Sequence, residues 1–304
     1  MNLEIPDTGL VEQFSIYRKR KPTVTLAVRR NVVNPVLFRN TQSDRAETQE
    51  LNGVIRAQVN GEKFVAKERL SGLALLRHLS DEFGDENDEE WSADADALPA
   101  GLISPDYAYN EPEGIATSTN MDALTYGLAG TGTQEFGIRS HVIEGYTYST
   151  EEYDLMNKET RNAVYESGTM QTDEGDHSKA LFEHVMIHPG NSFVHFITLE
   201  AATPAMLLYT MHNILNTSKY GARDTRTGRN MSNEIIGIIC GNQDTSLSPG
   251  EFLLNHHEPG EDITAAVNEY IQSVRRTDWQ VYGDGLADAD DFPDWAKAFQ
   301  AVAS

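Results

Sequence analysis

The chain has 304 residues, which suits one large domain carrying insertions. Hydrophobic residues make up 39% and aromatics 9%, so a packed core is expected and global disorder is excluded. Acids outnumber bases 47 to 24, a net charge of −23; no apolar run reaches the roughly 18 residues of a membrane span, and MNLEIPDTGL lacks the basic and apolar stretches of a secretory signal, so a cytoplasmic protein with no membrane partner is expected.

Residues 23–30 (TVTLAVRR) alternate and are β-branched, which predicts a strand. A second short strand is expected over 35–40 (PVLFRN). Residues 51–67 read as a hairpin turning at Asn60-Gly61. Over 69–83, Leu70, Leu73, Leu76 and Leu79 recur at helical spacing and predict an amphipathic helix. The stretch 84–120 is acidic, holds Pro99, Pro105 and Pro112, and has little periodicity, so it reads as an insertion or loop. Four glycines fall within 126–137 and strand-like residues return over 138–148. Residues 150–190 are mixed and polar, a second expected insertion. A strand over 192–200 (SFVHFITLE) precedes a helix over 203–216, with Thr203 as N-cap and Pro204 in the first turn. A basic loop covers 218–233 and a buried strand 234–241 (EIIGIICG). The last part, 262–304, holds a helix near 262–275 and an acidic tail. Strand, helix, strand, strand, helix, strand is the βαββαβ order of an α+β fold with a ferredoxin-like or RNA-recognition-motif-like core. The expected organisation is a single such domain over 1–304 with inserted subdomains.

The charge is uneven. Residues 18–45 hold eight bases against Asp44, a net of +7, and 218–233 hold four bases against Asp224, a net of +3. Residues 84–122 hold eleven acids and no base. With only 8 lysines to 16 arginines, the composition reads as adaptation to a salty cytoplasm. Such a bias thins bases everywhere, so two surviving arginine-rich islands point to a local anionic partner.

The loop KYGARDTRTGRN, 219–230, is the most informative segment. Arg223, Arg226 and Arg229 stand three apart, and each guanidinium offers a planar fork for phosphate. Gly221 and Gly228 are expected to let the backbone approach a ligand, and Thr225 and Thr227 to donate to phosphate oxygens. The glycine stretch lacks both the G-x-G-x-x-G fingerprint and a P-loop lysine, though it can offer amide donors. His184 and His188 lack the glutamate of H-E-x-x-H, His256-His257 reads as a surface pair, and His195 and His212 as packed residues. No catalytic residue, metal or cofactor is expected: G-x-S-x-G is absent, and the lone Cys240 lies in an apolar strand. The stacking aromatics of RNA-recognition motifs are also missing, so any RNA grip would use loops and arginines.

Several segments together resemble the backbone subunit of type I-D CRISPR effector complexes: AKERLSGLALLRHL (66–79), DALTYGLAG (122–130), AVYESGTMQ (163–171) and NILNTSKYGARDTRTGRNMSNEIIGIICG (213–241). TLAVRRNVVNPVLFRN (25–40) resembles that family's first strand and turn. The resemblance implies a palm with inserted domains that polymerises along guide RNA, without enzymatic activity, and leaves bases free to pair with a target. The implied partners are guide RNA, further copies of the chain, the large subunit, the subunit at the guide 5′ handle, and target DNA through pairing. It implies RNA contacts from Arg29, Arg30, Arg39, Lys67 and Arg69, from Gly130, Thr131 and Gly132, and from Lys219, Arg223, Thr225, Arg226, Arg229 and Asn230. Asn120, Met121, Asp122 and Ala123 stand where the family has a cysteine pair, so a zinc-stabilised insertion is not expected. The alternative function is a ribonuclease of the same superfamily that processes guide precursor or cuts target RNA, with His177, Asp173 and Asp176 as its candidates.

Overall fold

Ten strand residues, β1 (Thr23–Val32), run through the centre of the molecule. The structure is a computed structural model and describes residues 8–12, 21–39, 46–83, 121–130, 136–153, 158–162, 181–222, 225 and 228–283. After β1 come β2 (Glu47–Leu51), β3 (Val54–Asn60) and α1 (Glu62–Phe83), then α2 (Met121–Tyr126), β4 (Leu128–Gly130), β5 (Phe136–Ile138), β6 (Val142–Ile143) and β7 (Tyr146–Tyr148). The chain continues with β8 (Lys158–Asn162), β9 (Leu181–Val185), β10 (Ser192–Glu200), α3 (Pro204–Asn216), β11 (Met231–Gly241), α4 (Pro249–Asn255), α5 (Ile263–Val274) and β12 (Trp279–Tyr282).

The main sheet has the order β12-β11-β1-β10-β6, with every pairing antiparallel. Apart from the added edge strand β12, the path β1-α1-β6-β10-α3-β11 gives the 4-1-3-2 order of a ferredoxin-like core. β1 is buried on both faces because it has a neighbour on each side and a helical layer above and below. Val24, Leu26 and Val28 pack beneath α1 and α3 with Leu76, Met206, Leu207, Met211 and Ile214. Ala27, with Val194, Phe196, Ile236 and Ile239 of its neighbours, packs against Phe252 and Leu253 of α4 and Val267, Tyr270 and Ile271 of α5. That second sheet face is the one an RNA-recognition motif uses for base stacking, and here the C-terminal helices roof it.

Local signals explain the helices. Thr203 caps α3 by accepting from the Met206 amide at 3.4 Å, with Pro204 in the first turn, as the sequence predicts. Asp262 caps α5 through the Ala265 amide at 2.9 Å. Along α1 the inward stripe is Phe64, Glu68, Gly72 and Leu76, spaced by four. A Cβ on Gly72 would sit 2.6 Å from the Asn213 amide and against the Tyr209 hydroxyl, so glycine sets how closely α1 approaches α3.

Four expectations need correction. The hairpin turns at Asn52-Gly53, where φ is 52° and 76°, and joins β2 to β3. Asn60-Gly61 instead opens α1: the Gly61 carbonyl accepts from Phe64 N–H at 2.8 Å, and a Cβ there would lie 2.7 Å from the Gly145 carbonyl. The helix therefore starts at Glu62, seven residues before the expected start at 69, because Phe64 and Glu68 continue its inner stripe. Residues 35–40 form no strand within the described part; Val36 makes a single bridge to Ile187. The strand-like 138–148 splits into short pieces within β5, β6 and β7. Within 150–190, β8 and β9 pair as a two-stranded sheet.

Candidate nucleic-acid interface

The basic loop between α3 and β11 is held on both sides by its own polar residues. The Asn230 side chain accepts from the Tyr220 amide at 2.9 Å and donates to the carbonyls of Tyr220 and Thr225, both at 2.9 Å. Thr225 Oγ1 donates to the Ala222 carbonyl at 2.9 Å and accepts from the Leu37 amide at 3.4 Å. The Ala222 amide donates to the Leu37 carbonyl at 2.7 Å, and Val33 N–H to the Asn230 carbonyl at 2.9 Å. Gly221 has φ +77°, and a Cβ there would meet the Leu37 carbonyl at 2.6 Å. The glycine thus serves an approach between two stretches of this chain, not an approach to a ligand. Asn230 and Thr225, predicted as RNA contacts, are buried and brace the loop from within.

Beneath the loop lies a buried ionic node. Arg30 and Glu68 are both fully buried and pair at 2.5 Å. Tyr220 donates its hydroxyl to Glu68 at 2.9 Å and accepts from Asn233 at 2.8 Å and from Arg30 at 3.3 Å. The Arg30 guanidinium stacks 4.3 Å from the Phe64 ring centre. Burial by itself would lower the Arg30 pKa, but the Glu68 carboxylate reverses this and holds the guanidinium charged. His195 is pushed well below the usual histidine range, first by burial and then by the Arg30 charge, so it is neutral. Arg30 is therefore corrected from a surface contact to a core ion pair. The physical reason is strand parity: it shares a face with Val24, Leu26 and Val28, which point under α1 and α3.

Arg69 has a structural partner as well. It is 30% exposed, and its guanidinium donates twice to the fully buried Asp122 carboxylate, at 2.6 and 2.9 Å. Tyr209 donates to the other Asp122 oxygen at 3.2 Å. This ties α1, α2 and α3 together.

The remaining predicted cations divide by position. Lys67 and Lys219 meet in an open groove of ≈ 680 Å³ between α1 and the end of α3, lined also by Leu70, Ser71, Asn216, Thr217 and Ser218. Arg229 is exposed, and its carbonyl accepts from Asn34 at 2.6 Å, which fixes the chain at the loop's far end. Arg29 and Arg39 are half-buried, and neither lines the groove. Gly130 ends β4 opposite Phe136. Arg223, Arg226, Thr131, Gly132, His177, Asp173 and Asp176 lie outside the described residues, as do 84–120 and the tail after 283.

The groove also contains four residues outside the basic stretches of the charge pattern and uncharged themselves: Leu70, Ser71, Asn216 and Thr217, with Ser218 at the edge of the basic loop. The i, i+3, i+4 spacing of Lys67, Leu70 and Ser71 places them on one face of α1, and that signal was available. Leu70 belongs to the leucine spacing that predicts the amphipathic helix, yet it is 54% exposed. A second depression, ≈ 290 Å³, is lined by Glu151, Glu152, Tyr153 and His188 among others, and its carboxylates repel a polyanion. Among the described residues no cluster of three His, Cys, Asp or Glu is placed to hold a metal ion. Burial lifts the Cys240 thiol to about 12, so it is no nucleophile at neutral pH. No helix of the described residues is long and apolar enough to cross a membrane.

The Csc2 CRISPR family model matches residues 26–256, a span that includes β1, both core helices, the basic loop and the groove. The chain belongs to the Csc2 CRISPR family. Its fold is similar to that of Csc2 from Thermofilum pendens, with TM-score 0.57 and 17% identity over 95% of this chain and 88% of that one. This Csc2-family fold is also similar to a chain of a CRISPR RNA-guided surveillance complex in a pre-nicking state: TM-score 0.57 and 11% identity over 93% of this chain and 100% of that one. A chain of another CRISPR RNA-guided surveillance complex gives TM-score 0.53 and 13% identity over 93% and 100%. No curated protein sequence matches this Csc2-family chain significantly.

Proposed function

We propose that this Csc2-family chain is a non-catalytic backbone subunit of a type I-D CRISPR effector complex. It binds the guide RNA backbone, polymerises along it, and leaves the bases to pair with target DNA. The observation that carries the reading is the groove holding Lys67 and Lys219 beside a loop braced by Asn230, Thr225 and Gly221. A rigid cationic groove suits a task in which pairing supplies the sequence information and protein supplies grip and shape. The exposed Arg229 and the arginines at 223 and 226 extend that grip by bidentate phosphate contacts. The roofed sheet face supports the same reading, because it removes the surface on which bases would stack. Neighbours in the assembly are further copies of the chain, the large subunit and the subunit at the guide 5′ handle, in a salty cytoplasm. Co-expression with a matching guide tests it. RNA of guide length and sequence is expected to copurify with multimers of the chain. Monomers carrying no RNA, or the same large oligomer without RNA, would contradict it.

A further inference from the structure

We propose that Ser71, Asn216 and Ser218 make the groove selective for ribose over deoxyribose. The inference rests on the guide-binding reading above and names the sugar chemistry that site recognises. Lys67 and Lys219 attract phosphate in either polymer and do not discriminate. The groups between them are of a different kind. Three hydroxyls on the other helices or at their ends fold back on the helix: Thr125 donates to the Met121 carbonyl at 2.7 Å, Thr210 to Met206 at 2.9 Å and the C-cap Thr217 to Asn213 at 2.6 Å. Ser71, on α1, makes no such bond among the described residues, and it lines the groove. Asn216, which lines the groove, donates its Nδ2 to the His212 carbonyl at 3.1 Å, which orients the amide and leaves Oδ1 available as an acceptor. The Ser218 carbonyl accepts from the amides of Asn230 at 2.9 Å and Met231 at 3.2 Å, so its backbone is fixed while its hydroxyl makes no bond among the described residues.

A ribose 2′-hydroxyl is both donor and acceptor. Asn216 Oδ1 is an acceptor for its proton, and the Ser71 and Ser218 hydroxyls are donors to its oxygen. A deoxyribose offers neither partner. The exposed Leu70 gives the sugar carbons an apolar wall beside these polar groups. The groove is open, so water replaces the lost partners for DNA and the discrimination is about tenfold, not the far larger factor of an enclosed site.

The test uses the full chain and single-stranded oligonucleotides of one sequence as RNA and as DNA, with affinities measured at fixed salt. Wild type is expected to favour RNA by about tenfold. Ser71→Ala with Asn216→Ala is expected to bring RNA affinity down to the DNA value, while Lys219→Ala lowers both polymers together. Circular dichroism melts confirm that each variant folds. A double variant that keeps the RNA preference, or weakens RNA and DNA equally, overturns the sugar-selective role and leaves the guide-binding reading standing. Wild type that binds neither polymer overturns the guide-binding reading itself.

Discussion

Glu144, in the connection between β6 and β7, has both carboxyl oxygens buried without a hydrogen-bond partner among the described residues. Burial raises its pKa well above the ordinary 4.5; the Glu68 charge adds to this and Arg30 opposes it. The folded state therefore binds this proton more tightly than the unfolded chain does. Its contribution to stability is complete below pH 4.5 and is lost as pH rises through the folded pKa. Glu144→Gln keeps the shape and removes the titration. It should raise Tm by a few degrees at pH 8 and leave it nearly unchanged at pH 4, measured by thermal melts of both proteins. The depressed His195 changes stability in the opposite sense with pH, but it is present in both proteins and drops out of the difference. An equal shift at the two pH values would contradict the buried, protonated carboxyl. The surroundings explain why this group was not legible in the sequence. Arg30 could be placed inside by counting parity along β1, but nothing in the local pattern near Glu144 announces a carboxyl aimed at a buried ion pair 76 residues away on α1 at Glu68.

At the scale of elements, the basic loop depends on its contact with residues 36 and 37 after β1. Gly221→Ala forces a side chain into a left-handed backbone with the Leu37 carbonyl 2.6 Å from its Cβ. It should cost about 1–2 kcal/mol from the backbone conformation alone, seen as a lowered Tm, and should weaken RNA binding as the loop lifts away. Gly228 has no atom within 4 Å of an added Cβ, so Gly228→Ala should melt close to wild type. Equal effects of the two changes would argue against the brace. The elements that carried strong local signals formed where the sequence placed them. TVTLAVRR and SFVHFITLE are central strands, and Thr203-Pro204 starts α3. Asn60-Gly61 misled because the same dipeptide chemistry that makes a hairpin turn also opens a helix. Only the long-range approach of Gly145 to Gly61 decides between them here. The start of α1 was hidden for a related reason: Glu68 and Gly72 lie on its inner stripe, and neither reads as core by hydropathy.

For the whole molecule, the −23 net charge and the cationic groove make opposite demands on ionic strength. Self-repulsion among acids is relieved as the screening length falls from about 10 Å at 0.1 M to about 3 Å at 1 M salt. The proposed salt adaptation predicts a Tm that rises between 0.1 and 2 M KCl; a steady fall would contradict it. RNA affinity should move the other way, since each phosphate neutralised on a single strand adds about −0.7 to the slope of log K against log salt. The charge map points to an anionic partner, but it could not separate the buried Arg30 and the paired Arg69 from the groove-lining Lys67 and Lys219, which the packing of α1 sorts. The most direct test of the central claim is therefore a salt titration of guide RNA binding by wild type and a Lys67→Ala, Lys219→Ala variant. The account predicts weaker binding and a slope shallower by about 1.4, two phosphates at about 0.7 each. A variant with the wild-type affinity and slope would show that the guide RNA runs elsewhere on the protein.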